Sequence, residues 1–434
     1  MNFSLGLSPV TAIYQGANRV WHWPEGAYSW AAAWANFARG QFFENGTGVA
    51  FTDLFTFTRA STATYFDADG VLQTAAVDEL RFDHDPATGE PLGILIESSA
   101  TRLNTYPVAG EQWSSSGTKT ILSDNLFGVF NGVTVASAGA AYHRLDNPAI
   151  SVTAGQEFYV RCLWKQGTSA YVRLNARNNT TDKQTTYSGP VAGTKDVSGQ
   201  GAAATLELLE EKLIGDVFEW VFKATITDDG YFSFGIGPDV ATVGKTCIVY
   251  GLQVTDTLSS WILSGPSAST TRASDNLSIP STKVNDVLGG SMPDAVSLYM
   301  RGDVTYADTN EYTSAVLLNW GSALKQIQLK VDTYGSNVGS VLYRIVTASG
   351  SIYPGVPNGL QPGVNVPIAS AGRCTATVAS AALNGEEGTI VTSKGVPDTH
   401  DAALFFGTQG AAHIKQFALF SKDIGDEKLV EITS

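Results

Sequence analysis

Short stretches in which apolar and polar residues alternate, separated by turns rich in glycine, asparagine and aspartate, run along most of this chain of 434 residues. Alternation with a period of two is typical of strands, whose side chains point to opposite faces of a sheet. The 44 glycines suit the turns that such strands need. No tandem repeat of fixed period is visible, which excludes solenoids and propellers. The sequence therefore predicts a mainly β fold.

The spacing of predicted turns divides the chain into several structural units. Residues 105–265 and 281–434 each predict a β-sandwich of the jelly-roll type. Residues 51–104 predict a small adapter of β-hairpins, because short apolar runs there meet the turns DADG and DPATG. Residues 266–280 are rich in serine, threonine and proline, and they predict a surface linker between the two sandwiches.

Residues 1–50 differ from the rest in their aromatic content. Trp30, Trp34 and Phe37 fall at i, i+4 and i+7 among several alanines. This spacing predicts one short amphipathic helix over residues 26–39, ending near Gly40. An aromatic stripe of this kind favours packing over cofactor binding, and its periodicity does not distinguish packing on this chain from packing on a partner.

Charge and cysteine content limit the partners and the compartment. The formal net charge of −14 repels phosphate backbones, so we expect no nucleic-acid partner. No run of about 18 apolar residues is present, so we expect no membrane insertion. Residues 1–15 lack the basic and apolar regions of a secretory signal, and we expect synthesis in a reducing cytoplasm. The cysteines, expected to be free and buried in strands, are Cys162, Cys247 and Cys374.

Three stretches resemble structural proteins of tailed phages. Residues 57–70 (FTRASTATYFDADG) look like the FTRASTATYxDxDG signature of tail-fibre and head-fibre proteins, and residues 81–89 (RFDHDPATG) and 92–104 (LGILIESSATRLN) continue that pattern. Residues 269–275 (STTRASD) are similar to the end of the carbohydrate-binding-module-like jelly roll that follows the signature. Residues 414–421 and 426–430 resemble the closing strand and helix of concanavalin-like and laminin-G-like lectin domains.

The resemblance implies a head spike or tail fibre of a phage or gene-transfer-agent-like particle, assembled in a bacterial cytoplasm and located in the virion. It implies attachment to host surface polysaccharide and contacts with other virion proteins, such as a portal, a capsid vertex or a tail baseplate. We expect a homo-oligomer, because weak single sugar sites gain from several copies on one particle. The candidates for anchoring this chain to the particle are Trp21, Trp23, Trp30, Trp34 and Phe37.

Sugar-binding sandwiches need flat aromatic faces and nearby amide, carboxylate or guanidinium groups. The residues of this kind that the sequence places in loops are Trp113, Tyr142, His143, Arg144, Tyr334, Asn337 and Tyr353. Asp67 and Asp69 begin a stretch like a calcium loop, but the third carboxylate and the later glutamate are missing. A turn capped by aspartate side chains is therefore favoured over a calcium site, and we expect no cofactor.

Motifs for bond cleavage are not found in the sequence. The chain contains no HExxH, GxSxG or phosphate-binding loop, and Glu207, Glu210 and Glu211 do not alternate as three inward carboxylates on one strand would. We therefore expect an attachment protein that is not an enzyme. The alternatives are a polysaccharide depolymerase tailspike and a decoration protein without a ligand.

Overall fold

The structure, a computed structural model, describes residues 30–138, 143–189, 194–199, 201–240, 242–265, 267, 269–309 and 312–434. These residues are mostly in antiparallel β-sheets, which confirms the predicted fold class. The three α-helices of the described ranges are short, and none has the length and apolar character needed to cross a bilayer. They are α1 (Phe51–Leu54), α2 (Ser281–Val287) and α3 (Asp426–Thr433).

The strands that the structure describes follow one another closely along the chain. Those before residue 110 are β1 (Ala33–Asn36), β2 (Gln41–Glu44), β3 (Thr47–Val49), β4 (Thr56–Thr58), β5 (Ala63–Phe66), β6 (Leu72–Ala75), β7 (Phe82–His84), β8 (Pro91–Glu97) and β9 (Ala100–Arg102). Those between residues 110 and 260 are β10 (Ser114–Ser115), β11 (Thr118–Ile121), β12 (Val133–Ala136), β13 (Leu145–Asp146), β14 (Ile150–Val152), β15 (Glu157–Gln166), β16 (Val172–Asn178), β17 (Lys183–Gly189), β18 (Thr194–Gly199), β19 (Ala204–Ile214), β20 (Val217–Ile226), β21 (Gly230–Pro238) and β22 (Thr246–Thr255).

The strands after residue 260 are β23 (Thr270–Arg272), β24 (Asn276–Ile279), β25 (Val296–Tyr306), β26 (Ser314–Ser322), β27 (Lys325–Asp332), β28 (Val341–Thr347), β29 (Gly350–Ile352), β30 (Gly355–Val356), β31 (Gly363–Cys374), β32 (Val378–Leu383), β33 (Glu386–Glu387), β34 (Val391–Thr392), β35 (Leu404–Gln409) and β36 (Ala411–Phe420). Within the described ranges, single turns of 3₁₀ helix also occur at Phe37–Arg39 and Gly335–Asn337.

Two pairs of sheets form two sandwiches. In the middle sandwich, one sheet runs β11-β12-β22-β15-β20-β19 and the other β10-β13-β21-β16-β17-β18. Their inner faces share a core that includes Trp164, Trp220 and Phe234. In the C-terminal sandwich, one sheet runs β3-β2-β1-β36-β25-β31-β32-β33 and the other β29-β28-β27-β26-β35-β24-β4. That second pair encloses a core that includes Met300 and Trp320.

The N-terminal helix prediction is wrong for the described residues 30–39. β1 pairs with β2 on one side and with β36 on the other, so tertiary pairing overrides the helix propensity of the alanines. Trp34 and Phe37 are buried on opposite faces of this sheet, in two separate apolar clusters. Trp30 is half-buried against Phe420, with ring centroids 5.6 Å apart. Trp21 and Trp23 lie outside the described residues.

The predicted adapter and linker are divided between the two sandwiches. β4 and β8 join sheets of the C-terminal sandwich, whereas β9 joins a sheet of the middle one. The residues expected to form a surface linker include β23, which pairs with β9, and β24, which lies between β35 and β4. The surface linker is therefore a wrong prediction where the structure describes it. Only β5 and β6 form a separate hairpin sheet.

One glycine in the phage-like segment 92–104 allows β8 to lie close to β36. Gly93 has φ of +102° in β8, and a Cβ atom built there would lie 2.3 Å from the carbonyl oxygen of Ile414 in β36. A side chain at this position would collide with backbone, which cannot move aside without disturbing the sheet. The glycine in residues 92–104 is therefore needed for this strand pairing.

Candidate functional site: a polar groove on the C-terminal sandwich

Several polar side chains lie on the outer face of β26, β27 and β28. In β27, Ile327 and Leu329 point into the sandwich core, whereas Gln326, Gln328 and Lys330 occupy the alternate positions. Strict alternation places these three polar side chains on the outside of the sheet. The same pattern holds in β28, where Tyr343 and Ile345 belong to the core and Arg344 between them does not. The sheet thus carries a row of amide and cationic groups outward.

One polar side chain from each of β26, β27 and β28 forms a row across the three strands. Asn319 of β26 is the register partner of Gln328, which is in turn the register partner of Arg344. Nη1 of Arg344 donates to Oε1 of Gln328 at 3.0 Å and also to Oε1 of Gln326. The amide nitrogens of both glutamines donate to Oδ1 of Asn319, at 2.7 Å from Gln326 and 3.1 Å from Gln328. Each amide is thereby held in one orientation.

The row is flanked by a lysine and a tyrosine. Nζ of Lys330 lies 2.7 Å from Oδ1 of Asp332 and 3.1 Å from Oγ of Ser314. Tyr353 follows β29 and is 49% exposed, so its ring is open to solvent. The neighbouring Arg344 guanidinium lowers the pKa of the Tyr353 phenol, because it favours the ionised form. The tyrosine ring therefore lies at the edge of the row, beside Arg344.

These residues line a cavity of about 390 Å³, which we call the polar groove; its lining is Ser314, Val316, Asn319, Gln328, Lys330, Arg344, Tyr353 and Gln409. This volume is within the range of about 300–1,000 Å³ typical of ligand pockets. Amides and cations donate hydrogen bonds to hydroxyl and carboxylate oxygens, and an exposed aromatic ring packs against apolar ring faces. The polar groove therefore has the chemical groups that bind a sugar.

A second cavity, of about 540 Å³, continues from the polar groove between the two sandwiches. We call it the inter-sandwich cleft. It shares Ser314 and Gln409 with the polar groove. Its lining includes Thr309 and Thr313, whose hydroxyl oxygens are 3.0 Å apart. The two cavities therefore adjoin at Ser314 and Gln409.

Five charged residues from the phage-like motifs at residues 57–104 and 269–275 are buried between the two sandwiches and hold them together. Nη1 of Arg81 donates to Glu97 at 2.6 Å, and its Nη2 donates to Asp275. Arg59 also donates to Asp275, at 3.1 Å, and Arg272 lies 3.5 Å from Glu97. All five side chains are at most 2% exposed. We call these five residues the buried ion network.

The buried ion network connects to the middle sandwich through a loop. The backbone nitrogen and the hydroxyl of Ser260 both donate to Glu97, at 2.7 Å each. Burial disfavours the charged form of Glu97, but Arg272 and Arg81 outweigh it and hold the pKa of this carboxyl well below its usual range. The network therefore helps to fix the relative position of the sandwiches, and with it the inter-sandwich cleft.

A small cavity of about 80 Å³ lies beside this network. Its lining includes His413, whose ring nitrogens lie 2.6 Å from Asp303 and 2.8 Å from Asp83. Burial disfavours the charged ring, but Asp303 and Asp83 outweigh it and raise the pKa of His413 to about 10. The cavity is smaller than the ligand pockets described above and has room for a few water molecules.

Glu210 lines the same cavity, at a β-bulge in β19. Burial, together with the neighbouring Glu219, raises the pKa of Glu210 to about 7 from its usual 4.5. Because the pKa in the folded state is the higher one, ionisation of Glu210 destabilises the fold as the pH rises from 4.5 through 7.

We expect Glu210→Gln to stabilise the protein at pH 8 by about 1–3 kcal/mol. At pH 4 the carboxyl is protonated in both the folded and the unfolded state, so the variant and the parent protein should be equally stable. The midpoints of urea unfolding at the two pH values measure this difference. A stabilisation of the same size at pH 4 and pH 8 would show that ionisation of Glu210 is not the cause.

The structure places the glycan-binding candidates of the middle sandwich inside it. Trp113 is 1% exposed, and its Nε1 donates to the carbonyl of Tyr106 at 2.9 Å. His143 and Arg144 are each 9% exposed. None of the three offers an open face for a sugar ring. Tyr142 lies outside the described residues.

The candidates of the C-terminal sandwich are at its surface but do not all meet. Tyr353 lines the polar groove. Tyr334 is 38% exposed and packs against Tyr312, with ring centroids 5.2 Å apart, next to the inter-sandwich cleft residue Thr333. Asn337 is exposed in the 3₁₀ turn that follows. Of these three candidates, Tyr353 alone lines the polar groove, and Tyr334 and Asn337 line neither cavity.

The turn at Asp67 is held by its own hydrogen bonds. One oxygen of the Asp67 carboxylate accepts from the backbone nitrogens of Asp69 and Val71, at 3.0 and 2.9 Å, and the other accepts from the Gln73 amide at 2.7 Å. Within the described ranges, no group of three or more histidine, cysteine, aspartate or glutamate residues is placed to hold a metal. Asp67 and Asp69 thus have the geometry of a capped turn.

No family model and no curated protein matches this chain. Similar solved structures include domains LG4-5 of the mouse laminin alpha1 chain, at 12% identity and a TM-score of 0.22, over 67% of this chain and 92% of that one. The GH43 protein BlXynB of Bacillus licheniformis is 10% identical with a TM-score of 0.22, over 83% and 74% of the two chains. The beta-fructofuranosidase of Aspergillus kawachii is 8% identical with a TM-score of 0.21, over 86% and 81%.

The last two of these structures correct one prediction. Both are glycoside hydrolases, and they contradict the expectation that this chain is not an enzyme. That expectation is withdrawn. At TM-scores of 0.21 to 0.22, none of the three structures shares the arrangement of the whole chain, and none assigns an activity to it.

Most residues of the polar groove were not predicted from the sequence. Asn319, Gln328, Lys330 and Arg344 were not among the candidates. The available signal was the segment KQIQLKVD at residues 325–332, in which every second residue is polar. A solvated outer face gives the same pattern, so alternation alone does not separate a binding face from an ordinary surface.

Proposed function

We propose that this chain binds cell-surface polysaccharide through the polar groove and serves as an attachment protein of a tailed phage or phage-like particle. The observation that carries the proposal is the fixed row of Asn319, Gln328 and Arg344 next to the open ring of Tyr353. Oriented amides and a guanidinium recognise ring substituents, and the tyrosine packs against the ring itself.

The polar groove suits a polymer better than a single sugar. It is an open surface that continues into the inter-sandwich cleft through Ser314 and Gln409. Each sugar unit then contributes a small part of the affinity. Assembly of several copies on one particle would multiply weak binding through effective concentration. This supports the proposal of a homo-oligomer.

The particle location is proposed from the motifs at residues 57–104 and 269–275. In this proposal the chain resides in the virion and contacts other virion proteins. Trp34 and Phe37 are enclosed by this chain's own sheets, so they do not form the anchoring contact. The buried ion network supports the proposal in another way, since its rigid junction would keep the groove in a fixed position on the particle.

Removal of the Tyr353 ring tests the binding role of the polar groove. We expect Tyr353→Ala to weaken binding to isolated surface polysaccharide by about five- to thirtyfold, as for the loss of an aromatic contact of about 1–2 kcal/mol. Tyr231→Ala is the matched control, because Tyr231 is 62% exposed on the middle sandwich and should bind as the parent protein does. A glycan array and biolayer interferometry measure both variants. Equal binding by Tyr353→Ala and the parent protein would contradict the proposal.

A further inference from the structure

The polar groove is cationic on a strongly acidic protein. The chain has a formal net charge of −14, yet the groove lining contains Lys330 and Arg344 and no carboxylate. Lys330 is neutralised from outside the lining by Asp332, at 2.7 Å. Among the described residues, no carboxylate lies within ion-pair distance of Arg344. A positive charge without a carboxylate partner therefore faces the groove.

The guanidinium of Arg344 is fixed by neutral groups alone. Its Nη1 contacts Gln326 and Gln328, and these glutamines are fixed in turn by Asn319. Tyr353 lies beside Arg344 in the groove lining. A guanidinium has five N–H donors in a planar fork, which fits the two oxygens of a carboxylate. Neutral partners orient this fork and leave its full charge for a ligand.

We propose that the polar groove selects acidic polysaccharides, with Arg344 binding the carboxylate of a uronic-acid unit and Tyr353 packing against an adjacent sugar ring. This inference rests on the proposed function, since it names the class of polymer that the same groove binds. Arg344 and Tyr353 are neighbours in the lining of one cavity, so one sugar unit and its neighbour can reach both. The remaining amides of the groove are placed to bind ring hydroxyls.

Charge complementarity distinguishes this ligand class from neutral polysaccharides. A neutral sugar would leave the Arg344 charge partly desolvated without a counter-charge, which is unfavourable. A carboxylate would supply that charge in a charge-assisted hydrogen bond, which is about twice as strong as a neutral one. Sulfate and phosphate esters are also anionic, so the experiment contains an arm for each of them.

The experiment uses the full chain and matched pairs of oligosaccharides. Each acidic probe, namely tetragalacturonate, an alginate tetramer and a hyaluronan tetramer, is paired with its carboxyl-reduced form, which keeps the backbone and removes the charge. A sulfated tetramer and a phosphate-linked glycan form the other two arms. Isothermal titration calorimetry measures the parent protein, Arg344→Gln and the control Arg177→Gln. Arg177 is an exposed arginine of the middle sandwich.

We expect at least one uronate probe to bind about ten- to a hundredfold more tightly than its carboxyl-reduced partner, as for a charge-assisted hydrogen bond. Arg344→Gln should abolish that preference, whereas Arg177→Gln should keep it. Arg344→Lys retains the charge without the fork and should restore only part of the preference. An unchanged urea midpoint for each variant shows that the fold is intact.

The outcomes separate the two proposals. Tighter binding of the carboxyl-reduced, sulfated or phosphate-linked probes than of every uronate probe would overturn the selection of uronates and leave glycan binding in place. A uronate preference that survives in Arg344→Gln would overturn the role of Arg344. If no glycan binds to the parent protein, the proposed function fails, and this inference fails with it.

Discussion

Replacement of Glu97 by glutamine is expected to lower the free energy of unfolding by about 3–5 kcal/mol, because it removes one of the two carboxylates that face three buried guanidinium groups. Oε2 of Glu97 accepts from Arg81 at 2.6 Å and from the Ser260 hydroxyl at 2.7 Å. A glutamine can accept through only one oxygen, so its NH₂ group would face other donors. The positive charges of Arg81 and Arg272 would then be buried with insufficient compensation.

The pH dependence of this effect follows from the low pKa of Glu97. The folded-state pKa lies below the usual value of 4.5, so the carboxylate stabilises the fold above that pH. Its contribution is lost as the pH falls through the folded-state pKa. The difference between Glu97→Gln and the parent protein should be complete at pH 7 and should shrink in acid.

The control for this variant is an exposed ion pair. Nη2 of Arg177 lies 2.7 Å from Asp182, and their side chains are 36% and 57% exposed. Asp182→Asn should change stability by less than about 1 kcal/mol, because exposed pairs contribute little. The shift in the urea midpoint measures both variants. A similar small shift for Glu97→Gln would show that the buried ion network does not hold the junction together.

Replacement of His413 by alanine is the second large expected effect, a loss of about 3–5 kcal/mol at pH 7. The imidazolium lies between Asp303 and Asp83, and all three side chains are at most 10% exposed. Without it, two buried carboxylates lose the charge that neutralises them. A second substitution, Asp303→Asn, should recover part of the lost stability by removing one of these charges. His400→Ala, which removes a partly exposed partner of Asp398, should cost less than about 1 kcal/mol.

The raised pKa of His413 determines how its contribution to stability changes with pH. The folded-state pKa of about 10 lies above the usual 6.5, so the stabilisation is complete below pH 6.5 and is lost as the pH rises from 6.5 to 10. In ¹⁵N-histidine NMR spectra, we expect one ring to remain doubly protonated at pH 8 and to disappear from those spectra in His413→Ala. A neutral His413 ring at pH 8 would contradict the charged arrangement.

The sequence predicted those parts of the fold that depend on local pattern. Alternation in residues 325–332 gives a strand with the correct inward face, and β27 is found there. Residues 30–39 were predicted wrongly, because their alanines favour helix locally whereas β1 forms through pairing with β36, almost 400 residues away along the chain. Pairing over such a separation leaves no local signal.

The misplaced linker has a similar cause. Its serine- and threonine-rich composition predicts a solvated segment, yet Arg272 and Asp275 are buried there. Burial of these charges is tolerable because Arg59, Arg81 and Glu97 come from distant parts of the chain to pair with them. The local sequence around Arg272 and Asp275 shows neither that they are buried nor which distant residues pair with them.

The candidate site was predictable only in part for a related reason. Trp113 and Tyr353 both looked like exposed aromatic residues in loops, but Trp113 is buried and Tyr353 is not. Which aromatic ring faces solvent depends on the docking of each loop against its sheet. The identity of the row formed by Asn319, Gln328 and Arg344 depends on the register of three strands, which alternation alone does not determine.

The most direct test of the proposed binding role is an experimental structure of the full chain with an oligosaccharide prepared from a surface polysaccharide that it binds. Our account predicts sugar density over β26, β27 and β28, with one unit against the Tyr353 ring and an acidic group at the Arg344 guanidinium. Density confined to the middle sandwich, or to any surface away from the polar groove, would contradict it.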